Sequence, residues 1–217
     1  MKKLLAFGDS NTWGLIPGSK SGERYPFEIR WTGVLQNSCS SIRVIEEGLC
    51  GRTTAFEDRT RPGRNGAASL PLIFERIDPP DAVVIMLGTN DCKSDYSLSP
   101  HLIGKGVESC LDVITAHVPP EKILLVSPIL LGENVWRDDK DPDFGFESVS
   151  LCRKLKEEYK RIAVEYGTGF LAASDHAAAN EADCEHLDAQ GHRALAGALG
   201  DSLREILGLE QELPVAL

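Results

Sequence analysis

The sequence contains no apolar run near the roughly 20 residues that a membrane-crossing helix needs. It opens "MKKLLAF", as a signal peptide does. The apolar run is only four residues long and meets Gly8-Asp9 at once, too short for an h-region. Cysteine pairs are missing too: the cysteines at 39, 50, 92, 110, 152 and 184 include no CxxC. A chain of 217 residues can build a core without disulfides, so these read as reduced thiols and the protein as cytoplasmic. An excess of basic charge is also absent. The 33 acidic and 23 basic residues give a net charge of −10, which argues against nucleic acid and anionic membranes as partners.

Several motifs are absent as well. No GxGxxG or GxxxxGK[ST] follows the first apolar run, so nucleotide binding lacks its loop. Asp183, Cys184, His186 and His192 could supply metal ligands, but their spacing matches no common zinc pattern. That reading would also leave Ser10 and Asn90 unexplained, so no metal and no cofactor is expected. There is no internal repeat, low-complexity segment or interdomain linker. Residues 1–217 read as a single domain.

What is present is an alternation. Apolar runs at 3–7, 42–47, 82–87, 122–127 and 168–173 read as strands. Val83 to Leu87 lacks any polar alternation, as expected of a strand covered on both faces. Between the runs lie helical patterns at 29–38, 66–77, 102–117, 149–166 and 188–207, the last with Asp188 placed as its cap. This order predicts an α/β fold: a three-layer α/β/α arrangement with a five-stranded parallel sheet, flavodoxin-like. Two loops, 14–28 and 128–147, are long. The second is too long for a mere connection and is of the kind that shapes a site.

In parallel α/β sheets, ligands bind beyond the carboxyl ends of the strands. Each polar cluster here follows a strand end. The first strand ends in "FGDSNTWG" with Ser10, and the second runs into "EEGLCGRTT" with Gly51. The third ends in "GTND" with Asn90, and the last leads to "DCEH" with Asp183 and His186. A serine hydroxyl is a weak nucleophile and needs a base. Histidine serves as that base, with a pKa expected near the unperturbed ~6.5 and movable by its carboxylate. A carboxylate three residues away can fix the imidazole tautomer and stabilise the imidazolium. The oxyanion needs donors already aimed at it: the N–H groups of Ser10 and Gly51 and the amide of Asn90.

These blocks, in this order across residues 8–187, resemble those of the SGNH (GDSL-type) hydrolases. "GDSNTWG", "GLCGRTT" and "MLGTND" resemble the branch of small arylesterases, acetyl esterases and acyltransferases. The resemblance implies Ser10 as nucleophile, Gly51 and Asn90 completing the oxyanion hole, and Asp183–His186 as the dyad. It implies a serine esterase acting on short acyl esters, with acyl transfer to alcohols as a further capacity, and an assembly into homo-oligomers. Two positions depart from the family pattern. Asn11 stands where the short name has Leu, and Cys184-Glu185 stand between the dyad residues, where family members often have Gly.

Other readings fit some of the same positions. Gly-Asp-Ser alone reads as a helix cap, and "GTND" alone as a turn. His176 follows Asp175 and offers a rival dyad, while His192 lies near the core stripe of the last helix. His101 and His117 flank a helix and read as surface or capping residues. Asp9 reads as holding the nucleophile turn, and Asp91 and Arg52 as structural. Trp31 and Trp136 read as core, and Trp13, three residues after Ser10, as a pocket wall. The partner is a small-molecule ester. Sugar acetate, aryl ester, lysolipid and thioester all stay open, as does a non-catalytic flavodoxin-like binding module.

Overall fold

A computed structural model of the chain describes residues 1–209. Five parallel strands form one sheet: β1 (Lys2–Gly8), β2 (Ile42–Gly48), β3 (Ala82–Met86), β4 (Ile123–Ser127) and β5 (Gly169–Ala172), in the order β2-β1-β3-β4-β5. This is the flavodoxin-like order, in which the chain direction across the sheet reverses at β1 and β3. The α/β fold expected from the alternation is the one observed.

The helices are α1 (Ser10–Trp13), α2 (Trp31–Ser38), α3 (Gly66–Arg76), α4 (Pro100–Thr115), α5 (Phe146–Tyr166) and α6 (Ala189–Leu207). β3 and β4 are buried at every residue, because helices cover both faces of the sheet. On one face Val83, Ile85 and Leu125 pack with Leu70 of α3, Val107 and Leu111 of α4 and Leu155 and Tyr159 of α5. On the other, Val84, Met86 and Val126 pack with Trp31 and Leu35 of α2 and Leu195, Leu199 and Leu203 of α6. Each such leucine contributes about 1.5–3 kcal/mol by leaving water. This alternation along a strand explains why no polar residue interrupts it.

Element ends differ from the sequence reading for local reasons. α4 starts at Pro100 rather than 102, since proline suits a first turn and Ser99 caps it by accepting from Leu102 N at 3.2 Å. α5 starts at Phe146 rather than 149, closed by the Ser148 hydroxyl accepting from Gly145 N at 3.0 Å. Asp188 caps α6, as expected, accepting from Gly191 N at 2.8 Å. Trp31 is core, whereas Trp136 is 39 % exposed on the 128–147 loop. All six cysteines are free thiols. Among the described residues, no helix is long and apolar enough to cross a membrane.

Candidate active site

β1 delivers Ser10 through a tight turn. Gly8 leaves space there: a Cβ at this position would fall 2.1 Å from Thr12 Oγ1. Asp9, not Ser10, caps the single-turn α1, its Oδ1 accepting from Asn11 N at 2.9 Å. The Ser10 hydroxyl is thereby left for another partner, and it lies 2.8 Å from His186 Nε2.

His186 comes from the loop between β5 and α6. Its Nδ1 lies 2.8 Å from Asp183 Oδ2. Asp183 is itself pinned. Its Oδ1 accepts from the N–H groups of Glu185 and His186, both at 3.0 Å, and its Oδ2 accepts from Gly18 N at 2.8 Å. The turn needs a left-handed residue, and Cys184 takes that conformation at φ 62°. A side chain there costs about 1–2 kcal/mol relative to glycine. Its carbonyl accepts from Gly132 N and its N–H donates to the Asn180 carbonyl, each at 2.8 Å.

Both long loops end at this turn. Gly18 of the 14–28 loop holds the aspartate. In the 128–147 loop, Gly132 holds Cys184, and Lys140 Nζ donates to the carbonyls of Glu181 and Ala182 at 2.9 and 3.1 Å. The length of the second loop thus has a use: it braces the segment that carries the dyad.

The remaining two blocks form the opposite wall. Gly51 has φ 80°, and a Cβ on it would lie 2.9 Å from the Arg61 guanidinium. Asn90 opens a short turn after β3 and donates through Nδ2 to the Arg52 carbonyl at 3.2 Å. Asp91 ties this turn to the Gly51 loop by accepting from Thr54 N and Thr54 Oγ1, at 3.0 and 2.6 Å to Oδ1. Arg52 Nη1 donates to the carbonyls of Gly8, at 2.8 Å, and Glu47. Asp91 and Arg52 therefore hold the loops that carry Ser10, Gly51 and Asn90 together, and Asp9 shapes the Ser10 turn.

Charge follows from burial and contact. Burial would lower the His186 pKa, but the charge of Glu185 and then the hydrogen bond and charge of Asp183 outweigh it and push it up to about 9. Burial raises Asp183, yet its bonds with His186 win and hold it well below the usual carboxylate range. Asp9 is pushed up to about 6, mainly by burial. The other histidines have other partners. His192 is fully buried, accepts from Trp31 N at 3.3 Å and is lowered to about 4, chiefly by burial. Asp175 is held by Lys156 at 2.6 Å, so it leaves exposed His176 without a dyad partner. His117 stacks on Phe74 with centroids 4.1 Å apart, and His101 faces Glu158 at 3.4 Å. Trp13 is half-buried with Arg24 over its ring, 5.1 Å from the centroid.

Asn11 went unused in the sequence reading. Its buried amide reaches both sides of His186: Nδ2 donates to the Glu185 carbonyl at 3.3 Å, and Oδ1 accepts from Leu187 N at 2.9 Å. It joins the serine turn to the histidine loop across the top of the sheet. The available signal was a buried-type position filled by an amide directly after the serine.

A serine, an imidazole and a carboxylate in sequence define the class of serine hydrolases that form or cleave acyl esters. The profile of the GDSL-like lipase/acylhydrolase family matches residues 6–194, and the chain belongs to that family. It is a carboxylic ester hydrolase of the SGNH fold. Among solved structures it is similar to Est24, a carbohydrate acetylesterase from Sinorhizobium meliloti, with 32 % identity over 95 % of this chain and 100 % of that one, at a TM-score of 0.85. A carbohydrate acetylesterase family member from the same organism shares 35 % identity over 96 % and 100 %, TM-score 0.86. The native M. smegmatis aryl esterase shares 33 % over 95 % and 100 %, TM-score 0.87. A search of the curated proteins returned no match.

If Asn90 donates to the oxyanion more than to the ground-state carbonyl, Asn90→Ala lowers kcat by ~100–1,000-fold, ~2.7–4 kcal/mol, with little change in KM. Steady-state kinetics check it. A rise in KM alone would make Asn90 a substrate-binding group only.

Proposed function

We propose that the chain hydrolyses short acyl esters, acetate foremost, through an acyl-enzyme on Ser10. The observation that carries the reading is the unbroken relay from Ser10 Oγ through His186 to Asp183, with 2.8 Å at each link. In the first step Ser10 Oγ bonds to the ester carbonyl carbon while His186 Nε2 takes its proton. Asp183 holds the Nδ1–H and the positive charge that forms. The N–H groups of Ser10 and Gly51 and the amide of Asn90 receive the oxyanion. Collapse expels the alkoxide, which leaves as alcohol with the proton from His186. Water, activated by the same imidazole, then releases the acid and restores Ser10. Another alcohol in place of water would give acyl transfer.

A polar cavity beyond the turn that carries Asn90 supports a polar alcohol portion. A cavity of about 680 Å³ opens beside Lys93, one turn beyond Asn90, lined by Phe56, Tyr96, Asp95 and Arg59 among others. Aromatic faces among charged groups suit a hydroxylated or aryl alcohol, in keeping with the relatives named for carbohydrate acetates and aryl esters.

A series of p-nitrophenyl esters tests the acyl side. kcat/KM is expected to fall steeply from acetate or butyrate to chains beyond about eight carbons. A preference for palmitate would replace this reading with a lysophospholipase-like one.

A further inference from the structure

One buried acid at the site has no part in the reaction as written. Glu185 lies between Cys184 and His186 and is 5 % exposed. Its main chain is fixed at both ends: the N–H donates to Asp183 Oδ1, and the carbonyl accepts from Asn11 Nδ2. The side chain cannot drift far, and its Oε2 sits 3.7 Å from His186 Nδ1, the nitrogen already bonded to Asp183. Other charged groups facing the pair come from four places. Asp183 shares the loop, Asp9 comes from the turn after β1, Lys93 from the turn after β3, and Asp141 from the 128–147 loop. Lys93 is engaged elsewhere, by Asp143 at 2.8 Å and Asp141 at 3.7 Å. Cys50, in the loop after β2, also feels the charge of Glu185, but burial pushes its thiol up to about 11, and His192 of α6 is held neutral by burial. The imidazole is therefore the cation that Glu185 meets at close range.

We propose that Glu185 is a second carboxylate for His186, a positioning residue that favours the protonated ring both at rest and when the ring has taken the Ser10 proton. This rests on reading His186 as the base. The two effects oppose each other. At rest, Glu185 keeps the ring protonated, which removes free base at neutral pH. In the acylation transition state, the same charge supports the imidazolium as it forms. The burial that raises Glu185 itself to about 7 is the cost of placing a carboxylate there, and the imidazolium opposes it.

The consequence is a pair of crossing pH profiles. Glu185→Gln keeps the shape and removes the charge. Loss of an opposite charge at this range moves a pKa by about 1–3 units. With a His186 pKa near 9, a downward move of one unit raises the neutral fraction at pH 7 about tenfold. The ring is then also a weaker base, so the plateau at high pH falls several-fold. Glu185→Asp keeps the charge and is expected to stay closer to the parent.

The test is kcat/KM for p-nitrophenyl acetate from pH 5.5 to 10.5 in parent, Glu185→Gln and Glu185→Asp. The expected result is an acid limb at least about one unit lower in Glu185→Gln, higher activity than the parent at pH 7 and lower activity at pH 10. A Glu185→Gln limb that coincides with the parent's overturns the proposal. NMR titration of the His186 ring in parent and Glu185→Gln reads the same interaction without turnover. A midpoint at least about one unit lower in Glu185→Gln supports it, and coincident midpoints overturn it. Failure of the underlying reading looks different: His186→Ala would then retain both the activity and the limb.

Discussion

Ser10→Ala is expected to fold like the parent and to lose nearly all turnover of p-nitrophenyl acetate. The Ser10 hydroxyl contacts the His186 ring, and the fold around it is set by other groups: Asp9 caps the turn and Asn11 ties it to the histidine loop. Removing one oxygen thus leaves the packing of β1 and α1 in place. The chemistry has no substitute. Asn90 and the backbone donors can still polarise a bound ester, but no covalent intermediate can form. In enzymes built this way the loss reaches on the order of 10⁶ in kcat, with a residue of ~10³–10⁴ over water from the oxyanion donors and binding. Turnover of the purified variant, with its melting temperature beside the parent's, checks both halves. Near-parent turnover would remove Ser10 from the mechanism.

His186→Ala is expected to lose activity to a similar degree and to abolish the acid limb of the pH profile with it. The sign follows from the role. A base must be neutral to accept the Ser10 proton, so activity rises as the ring deprotonates with increasing pH. Burial works against the charged ring, but Glu185 and Asp183 overcome it and place the midpoint near 9. The parent should therefore be an enzyme of alkaline optimum on its rising side, poorly active at pH 6. His176→Ala and His192→Ala serve as controls. His176 is exposed and its neighbour Asp175 is bound to Lys156, while His192 accepts from the Trp31 backbone inside the core. Measuring kcat/KM against pH for the three variants separates them. A His186→Ala profile like the parent's would move the role elsewhere.

The fold was legible because parallel strands buried on both faces have no choice of pattern. Val83, Val84 and Ile85 face three-layer packing and must all be apolar. The approach of Ser10 and His186 was legible for a related reason. Parallel strands put all their carboxyl ends on one edge, so motifs that follow strand ends converge without any knowledge of the loops. What the sequence hid depends on contacts across more than a hundred residues. The amide of Asn11 meets main chain 174 and 176 positions away, and Gly18 reaches Asp183 across 165. The raised pKa of His186 is hidden for the same reason. Glu185 is next in sequence, but only its burial, and the engagement of Lys93 by Asp141 and Asp143, make its charge act on the ring. Cys184 hid the turn in another way, since the left-handed conformation signalled by glycine is here adopted by a residue that disfavours it.

The central claim is that Ser10 becomes covalently attached, and its most direct measurement is the site of labelling by a fluorophosphonate. Peptide mapping by mass spectrometry should find a single adduct on Ser10, formed faster as pH rises towards 9 and absent from Ser10→Ala. An adduct on any other residue, or an esterase activity that persists with Ser10 unmodified, would contradict the account.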